Sequence, residues 1–569
     1  MTSTTTDRSS RSAAAIDEAL AQTNLCAAFQ VTAAANAQRA ALREFGRTQE
    51  ITYGKMAERV RHLAGGLIAL GVKRNDTLGL MLDNRSEFHL VDLAALHIGA
   101  LPYSIYNSNP AEKVVPILEN AGSSVVIAEP HYAPVLVQVR SERPDLLGTI
   151  VVVDAERGVG DLTLAELEAL EPPADFDFEA EWQAVTPDTL GMLIYTSGTT
   201  GEPKGAEWTH HALMENLRGF HQLIPVSPVG RMVSYLPMAH LAERFMTHYG
   251  LMVYGLTVTS VSNARDLADA LREVHPTRFF GVPRIYEKLA EPAQAMVGSD
   301  PEAARTALGF DQAEYLGSAA APARVDIIEL FNSLGLPLIE NWGMSETALT
   351  LINPPGRVKV GTVGQPTPGV EAKLAEDGEL MIRGPIFSAY RNDPERTREA
   401  FDDEGWMHTG DVASVDDDGY FKIVDRKKDI IINSAGKNMS PVYIEGAIKS
   451  QTPLIAFVAV IGDGRKYNTA LLALDPDLVS QFAAEKGLEG SFAELTRAPE
   501  VQAEVSRAME AANGTLARVE QIKRFRIVDE PWVPGSELVT ASMKVRRRAI
   551  NQRYAAEIEA LYDVAAPQR

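Results

Sequence analysis

Between residues 195 and 205 the chain reads YTSGTTGEPKG, eleven residues that hold four Ser or Thr hydroxyls, three glycines and one lysine. Glycines let a backbone bend and bring its N–H groups close to an anion. Hydroxyls and an ammonium add donors and positive charge, so the chemistry this composition suits is the holding of phosphate. The order excludes the common loop of P-loop NTPases: GxxxxGK[ST] needs Ser or Thr after the lysine, whereas Gly205 and Ala206 follow Lys204. By composition alone a flexible linker stays open as well.

The run GMLIY at 191–195 reads as a strand that ends at this loop, and a helix begins near His210. The loop is therefore expected at the carboxyl end of a strand, where open α/β sheets bind ligands. A helical pattern, Met56, Val60, Leu63, Leu67 and Leu70, leads into a β-rich run at 76–82, and further runs at 123–129, 149–154, 232–236, 257–261, 278–282 and 336–340 are in several cases separated by helical patterns. The fold class that follows is α/β, with a large N-terminal body of mainly parallel sheets wrapped by helices. Beyond about residue 355, Gly, Pro and Asp turns between short strands predict a β-rich subdomain.

At 569 residues and 45% hydrophobic the chain is too long for one core, and length alone predicts roughly three or four compact units. With 54 basic and 76 acidic side chains its formal charge is -22, which argues against nucleic acid as a partner and lends no support to an anionic membrane surface. A single cysteine, Cys26, excludes an intramolecular disulfide framework and suits a reducing, cytoplasmic setting. The first residues, MTSTTTDRSSRSAAA, lack the apolar stretch of a signal peptide and read as a disordered tail, residues 1–20. The longest apolar runs, 251–261 and 454–462, fall short of the roughly 20 residues that span a bilayer.

Four further motifs follow in order: NWGMSET (341–347), WMHTGD (406–411), VDRKKDIIINSAGKN (424–438) and ELVTASMKVRRR (537–548). Taken singly each has an ordinary reading. Trp342 suits a core, Glu346 a solvated carboxylate, Asp411 a turn, the charges around Arg426 a solvated face, and Lys544 with the arginines after it a basic helix end.

Together with TSGTTGEPKG, in this order and spanning about Thr52 to Arg548, they resemble the adenylate-forming superfamily of acyl-CoA synthetases, luciferases and adenylation domains. The resemblance implies an ATP phosphate grip at Thr196, Ser197, Gly198, Thr199, Thr200 and Gly201, with Lys204 in support. It implies Mg²⁺ held by Glu346 and Thr199, and an adenine site built from Gly317, Ser318, Ala319, Asn341, Trp342, Gly343, Met344 and Ser345. Asp411 is expected on the ribose hydroxyls, Arg426 on the nucleotide, and Lys544 on the reacting carboxylate and phosphate. Ala541 stands where the family often has proline.

The same resemblance implies a domain of residues 21–427, a hinge at Lys428, and a small mobile α+β lid of residues 428–569. The lid would present Ser434, Ala435, Gly436 and Lys437 to coenzyme A. Segments YLPMAHLAERF (235–245), GVPRIYEK (281–288) and 390–411 look most like long-chain fatty acyl-CoA synthetases, which puts His240 near the acyl site. The implied activity is ligation of a fatty acid to CoA through acyl-AMP, with ATP, Mg²⁺ and CoA required. Alternatives are an acyl-AMP ligase that loads a carrier protein, a CoA ligase for another acid, and a nucleotide-binding protein without turnover. Long acyl substrates partition into bilayers, so peripheral membrane contact stays an open question. A hydrolase is disfavoured, because GMSET lacks the last glycine of a GxSxG elbow.

Overall fold

The computed structural model describes residues 13–154, 158–197, 203–298, 300–434, 436–540 and 543–563, the side chains of Thr196 and Ser197 excepted. The chain divides into two compact units, Met1–Ala372 with Ile382–Met407 and Lys373–Met381 with His408–Arg569. That is fewer than length alone predicts.

The first unit is built on three sheets. The largest has eight strands in the order Ala389–Tyr390, Pro203–Thr209, Leu190–Ser197, Leu101–Ser104, Thr77–Met81, Val125–Ala128, Thr149–Val152 and Leu162–Thr163. From Leu190–Ser197 onward all neighbours are parallel, and Pro203–Thr209 is antiparallel to the strand on each side of it. Thr77–Met81, Leu101–Ser104 and Val125–Ala128 are buried along their whole length, as near-continuous apolar runs between helices require. A five-stranded sheet places Arg278–Gly281, Tyr315–Ser318 and Leu338–Met344 parallel, then Ala348–Ile352 and Gln365–Pro366 antiparallel. A four-stranded sheet repeats the pattern: Arg231–Ser234, Thr257–Ser260 and Ala40–Glu44 run parallel, and Glu50–Thr52 closes the edge antiparallel.

Two expectations need correction. The chain does not pass from the strand at 191–195 through the phosphate loop into a helix. Leu190–Ser197 and Pro203–Thr209 are an antiparallel pair, with Tyr195 opposite Gly205 and Thr196 opposite Lys204, and the helix His210–Leu223 begins only after the second strand. PKGAEWT, which reads as loop and helix approach, buries Ala206 and Trp208 and pairs on both edges. Nor is all of the segment 1–20 a tail, since residues 13–20 are helical. Ala15, Ile16, Ala19 and Leu20 lie on one side of that helix and are buried, a stripe too short to stand out beside its Ser and Thr-rich neighbour.

The second unit carries most of a four-stranded antiparallel-edged sheet that includes Met407–Val415 and Phe421–Arg426. It also carries a three-stranded sheet, Ile455–Ile461, Asn468–Leu474 and Ile522–Ile527. Ile444, Ile448, Val501, Val505 and Met509 of two helices pack on Val458, Leu472 and Leu474 to form its core. Within this unit buried Asp425 accepts hydrogen bonds from Ser440 Oγ at 2.5 Å and Val442 N at 3.1 Å, which ties the start of helix Pro441–Lys449 to strand Phe421–Arg426. Among the described residues no helix is long and apolar enough to cross a membrane.

Candidate active site

In the first unit, the parallel strands Tyr315–Ser318 and Leu338–Met344 bring the two parts of the expected adenine site together, Gly317 opposite Ile339 and Ser318 opposite Glu340. Asn341 Nδ2 donates to Tyr315 Oη at 2.6 Å, and Tyr286 Oη donates to the Gly317 carbonyl at 3.0 Å. Two buried polar atoms here, Ser318 Oγ and Asn341 Oδ1, lack a hydrogen-bond partner. A buried polar atom left unpaired costs about 1–3 kcal/mol, so the site suits a ligand that brings donors and acceptors, as a nucleobase does.

The backbone is shaped for close approach. A side chain at Gly343 would put its Cβ 1.7 Å from the Ala348 carbonyl oxygen, and one at Gly317 would meet the Tyr315 hydroxyl at 2.3 Å. Ala320, just after the strand, sits at φ 74, a left-handed conformation costly for a residue with a Cβ. Trp342 and Ala319 are buried, and Gly343 and Met344 are partly buried at the end of their strand.

Residues 345–347 form the turn between Leu338–Met344 and Ala348–Ile352, closed by Thr347 N to the Met344 carbonyl at 3.1 Å. The Ser345 carbonyl accepts from Trp208 Nε1 at 3.0 Å, and the Glu346 carbonyl accepts from Phe387 N at 2.9 Å. Glu346 is buried, 6% exposed, and its Oε1 accepts a hydrogen bond from Tyr390 Oη at 2.8 Å. Among the described residues no lysine or arginine pairs with its carboxylate. A buried carboxylate whose partner is a neutral hydroxyl fits a hard cation brought by the ligand. Lys204, on the other side of Tyr390, places Nζ 5.3 Å from that ring's centroid. Gly198, Thr199, Thr200, Gly201 and Ala435, and the side chains of Thr196 and Ser197, lie outside the described residues.

His240 precedes the short helix Leu241–Glu243 and is partly exposed. In the same segment, the carboxylate of Glu243 accepts from Leu236 N at 3.2 Å and Thr247 Oγ1 at 3.1 Å. Burial pushes this carboxyl up to about 7, and it pins the loop that leads to His240. Behind it, buried Asp92 takes both Arg244 and His248 Nε2, the latter at 2.8 Å, and His89 closes the chain on His248. No pattern in the sequence announces that cluster, because its members come from two helical segments far apart in the chain. Tyr390 opens the segment 390–411 singled out by its resemblance, but only its contact with Glu346 gives it a place at this site.

The second unit gathers three of the expected residues. Asp411 and Arg426 pair across antiparallel strands with Nε 3.1 Å from Oδ1. Gly410, at φ 72, turns the backbone so that its N–H meets Glu379 Oε1 at 2.8 Å. Lys427, which reads from sequence as a solvated charge, bridges Asp377 at 2.5 Å and Glu379 at 3.0 Å.

Lys544 is tied to Thr540 by two bonds: its N–H donates to Thr540 Oγ1 at 2.9 Å and its carbonyl accepts from Thr540 N at 2.8 Å. Met543 before it is at φ 62. Loss of water around the Lys544 ammonium and the charge of Arg426 push its pKa down to about 8, with Asp411 pulling the other way. The residue as a whole stays exposed, so solvent tempers the effect.

Lys428 lies in an exposed turn, 427–429, directly after strand Phe421–Arg426. Ser434, Gly436 and Lys437 share an exposed hairpin tip between Ile431–Ile432 and Asn438–Met439. Gly436 is at φ 72 with open space beside its Cα, and Lys437 N donates to Asn433 Oδ1 at 3.0 Å.

Comparison with known proteins places these parts in one family. The model described as AMP-binding enzyme matches residues 29–390, and that described as AMP-binding enzyme C-terminal domain matches residues 428–566. The chain is 41% identical over 452 residues to the putative fatty-acid–CoA ligase fadD11 of Mycobacterium tuberculosis, covering 71% of this chain and 79% of that protein. It is 30% identical over 563 residues to the long-chain-fatty-acid–CoA ligase FadD15 of Mycobacterium bovis, covering 90% and 92%. Among solved structures, the A domain of carboxylic acid reductase from Segniliparus rugosus in complex with AMP and a co-purified carboxylic acid is similar in fold. Its TM-score is 0.79 at 20% identity, over 98% of this chain and 97% of that one. With a family model matched across more than half its length, this chain belongs to the AMP-binding enzymes.

Proposed function

We propose that the chain activates a long-chain fatty acid as acyl-AMP and passes the acyl group to coenzyme A. The observation that carries this reading is the assembly of Asp411, Arg426 and Lys544, drawn from three separate motifs, in one compact unit of a protein related to fatty-acid–CoA ligases. The segments at 235–245, 281–288 and 390–411 support the long-chain assignment by their resemblance.

In the first step a carboxylate oxygen attacks the α-phosphorus of ATP, forming the acyl phosphate anhydride and releasing pyrophosphate. A carboxylate needs no general base. What this step needs is charge compensation and alignment. Lys544 supplies positive charge to the carboxylate and phosphate as they meet, Lys204 and the 196–201 loop hold the phosphates, and Asp411 accepts from the ribose. Glu346, with Thr199, would hold Mg²⁺, which when bound neutralises phosphate charge.

In the second step the thiol sulfur of CoA attacks the acyl carbonyl, the bond to AMP breaks, and the thiol proton leaves to solvent. The lid, residues 428–569, turns about Lys428 between steps and brings Ser434, Ala435, Gly436 and Lys437 to the pantetheine arm. A cytoplasmic setting fits the single buried cysteine. The test is pyrophosphate release against a panel of acids with and without CoA. Thioester formation from long-chain acids supports the reading. Release of pyrophosphate without any thioester would point to a carrier protein as acceptor, and release with other acids alone would move the substrate class.

A further inference from the structure

Tyr390 stands between two groups that the reaction needs and that come from different sheets. Its hydroxyl donates to Glu346 Oε1 at 2.8 Å, and its ring faces the Lys204 ammonium with Nζ 5.3 Å from the centroid, within range of a cation–π contact. The ring is buried and packs on Phe387 at 4.8 Å, which itself stacks on Phe401 at 5.3 Å.

The backbone around it is fixed from both sides. Ser388 N donates to the Glu207 carbonyl at 2.8 Å and Arg391 N to the Gly205 carbonyl at 2.8 Å, so the segment is sewn to the strand that carries Lys204. Arg391 adds an ion pair to Glu207 at 2.9 Å. On the other side Phe387 N holds the Glu346 carbonyl at 2.9 Å. A side chain placed this way has little freedom of its own and transmits its position to both partners.

We propose that Tyr390 is a positioning residue that aligns the Glu346 carboxylate and the Lys204 ammonium as one assembly toward a metal-bound nucleoside triphosphate. This rests on the reading of Glu346 and Lys204 given under the proposed function. With Oε1 held by the phenol, the carboxylate keeps a single orientation, and its other oxygen is the one directed to a cation. Partners of this kind orient a ligating carboxylate, and their loss costs metal affinity. The ring face acts separately from the hydroxyl and holds the Lys204 ammonium over the same side chain. Tyr390 would touch neither reacting atom.

The two effects separate by mutation. Tyr390→Phe keeps the ring and its packing but removes the hydroxyl, and Tyr390→Leu removes both. Mn²⁺ binding in the presence of a non-hydrolysable ATP analogue, followed by electron paramagnetic resonance, should weaken about tenfold in Tyr390→Phe. Binding of the same analogue in EDTA should be unchanged in Tyr390→Phe and weaker by about threefold in Tyr390→Leu. Lys204→Ala should weaken metal-free binding in the Tyr390→Phe background as much as in the native protein, and have a smaller effect in Tyr390→Leu.

Native Mn²⁺ affinity in a Tyr390→Phe protein that retains its thermal midpoint would overturn the proposal, as would equal effects of Lys204→Ala in all three backgrounds. Failure of the native protein to bind the ATP analogue at all would instead sink the functional reading on which the proposal rests.

Discussion

Asp411 and Arg426 stand opposite each other in the antiparallel register of Met407–Val415 and Phe421–Arg426, with the guanidinium Nε 3.1 Å from Oδ1 of the carboxylate. Asp411 is buried and Arg426 is partly exposed. The strand pairing therefore fixes the carboxylate and the arginine orients it, as the proposed acceptance of ribose hydroxyls would require. A hydrogen bond to a charged group contributes about 1.5–3 kcal/mol. Asp411→Ala should accordingly raise the ATP concentration for half-maximal pyrophosphate exchange by roughly 10- to 100-fold, with a smaller change in Asp411→Asn. An unchanged ATP dependence in Asp411→Ala would remove the residue from the nucleotide site.

Loss of water and the charge of Arg426 push the Lys544 ammonium down from its ordinary value, and solvent at this exposed residue limits that lowering, so about 8 is the lower end of its titration. The charged form is present below its pKa and is lost above it. If the charge assists adenylation, kcat/KM for pyrophosphate release falls as pH rises beyond about 8. In Lys544→Arg, charged throughout this range, that alkaline limb should vanish even though the rate is lower. Lys544→Ala should lose pyrophosphate release yet still convert supplied acyl-AMP to acyl-CoA. Equal loss of both half-reactions would contradict this division of labour.

Proline at position 428 tests the hinge. It locks φ near -65° and removes the adjustable torsion on which the proposed rotation of residues 428–569 would depend. Lys428→Pro should leave acyl-AMP formation close to normal while thioester formation from CoA stalls. Pre-steady-state capture of accumulated acyl-AMP reads this directly, and a normal rate of thioester formation would place the hinge elsewhere.

Gly343 offers a stability test inside the proposed adenine site. Its Cβ would lie 1.7 Å from the Ala348 carbonyl oxygen, a backbone atom that cannot rotate away. Gly343→Ala must spread Leu338–Met344 from Ala348–Ile352, at a cost of about 1–3 kcal/mol. A lower thermal midpoint and weaker ATP binding are expected. By contrast Gly436→Ala meets open space, and its only penalty is the left-handed backbone at φ 72.

Much of the fold is legible in the residues. Strands at 76–82, 123–129, 149–154, 257–261 and 278–282 are each within three residues of the observed Thr77–Met81, Val125–Ala128, Thr149–Val152, Thr257–Ser260 and Arg278–Gly281. They are fully buried or nearly so, which makes their apolar runs unbroken. The strand Pro203–Thr209 is not legible in the sequence. Pro203, Lys204, Gly205 and Glu207 are poor strand formers, and only pairing with Leu190–Ser197 on one edge and Ala389–Tyr390 on the other makes PKGAEWT extended.

What the sequence by itself determined is local and chemical: the alternation of buried strands with helices, the ordered motifs, and the residue types that can hold phosphate, ribose and metal. Burial periodicity and turn chemistry act over a few residues, so a linear reading captures them. What only the tertiary structure decided is which distant groups share an environment. Tyr390 on Glu346 and Lys204, the lowered Lys544 beside Arg426, and Asp92 between Arg244 and His248 all depend on strand register and helix packing across long separations. A contact between residues that no local pattern links costs loop-closure entropy and is set by the packing of the whole unit, which is why it could not be read from the chain.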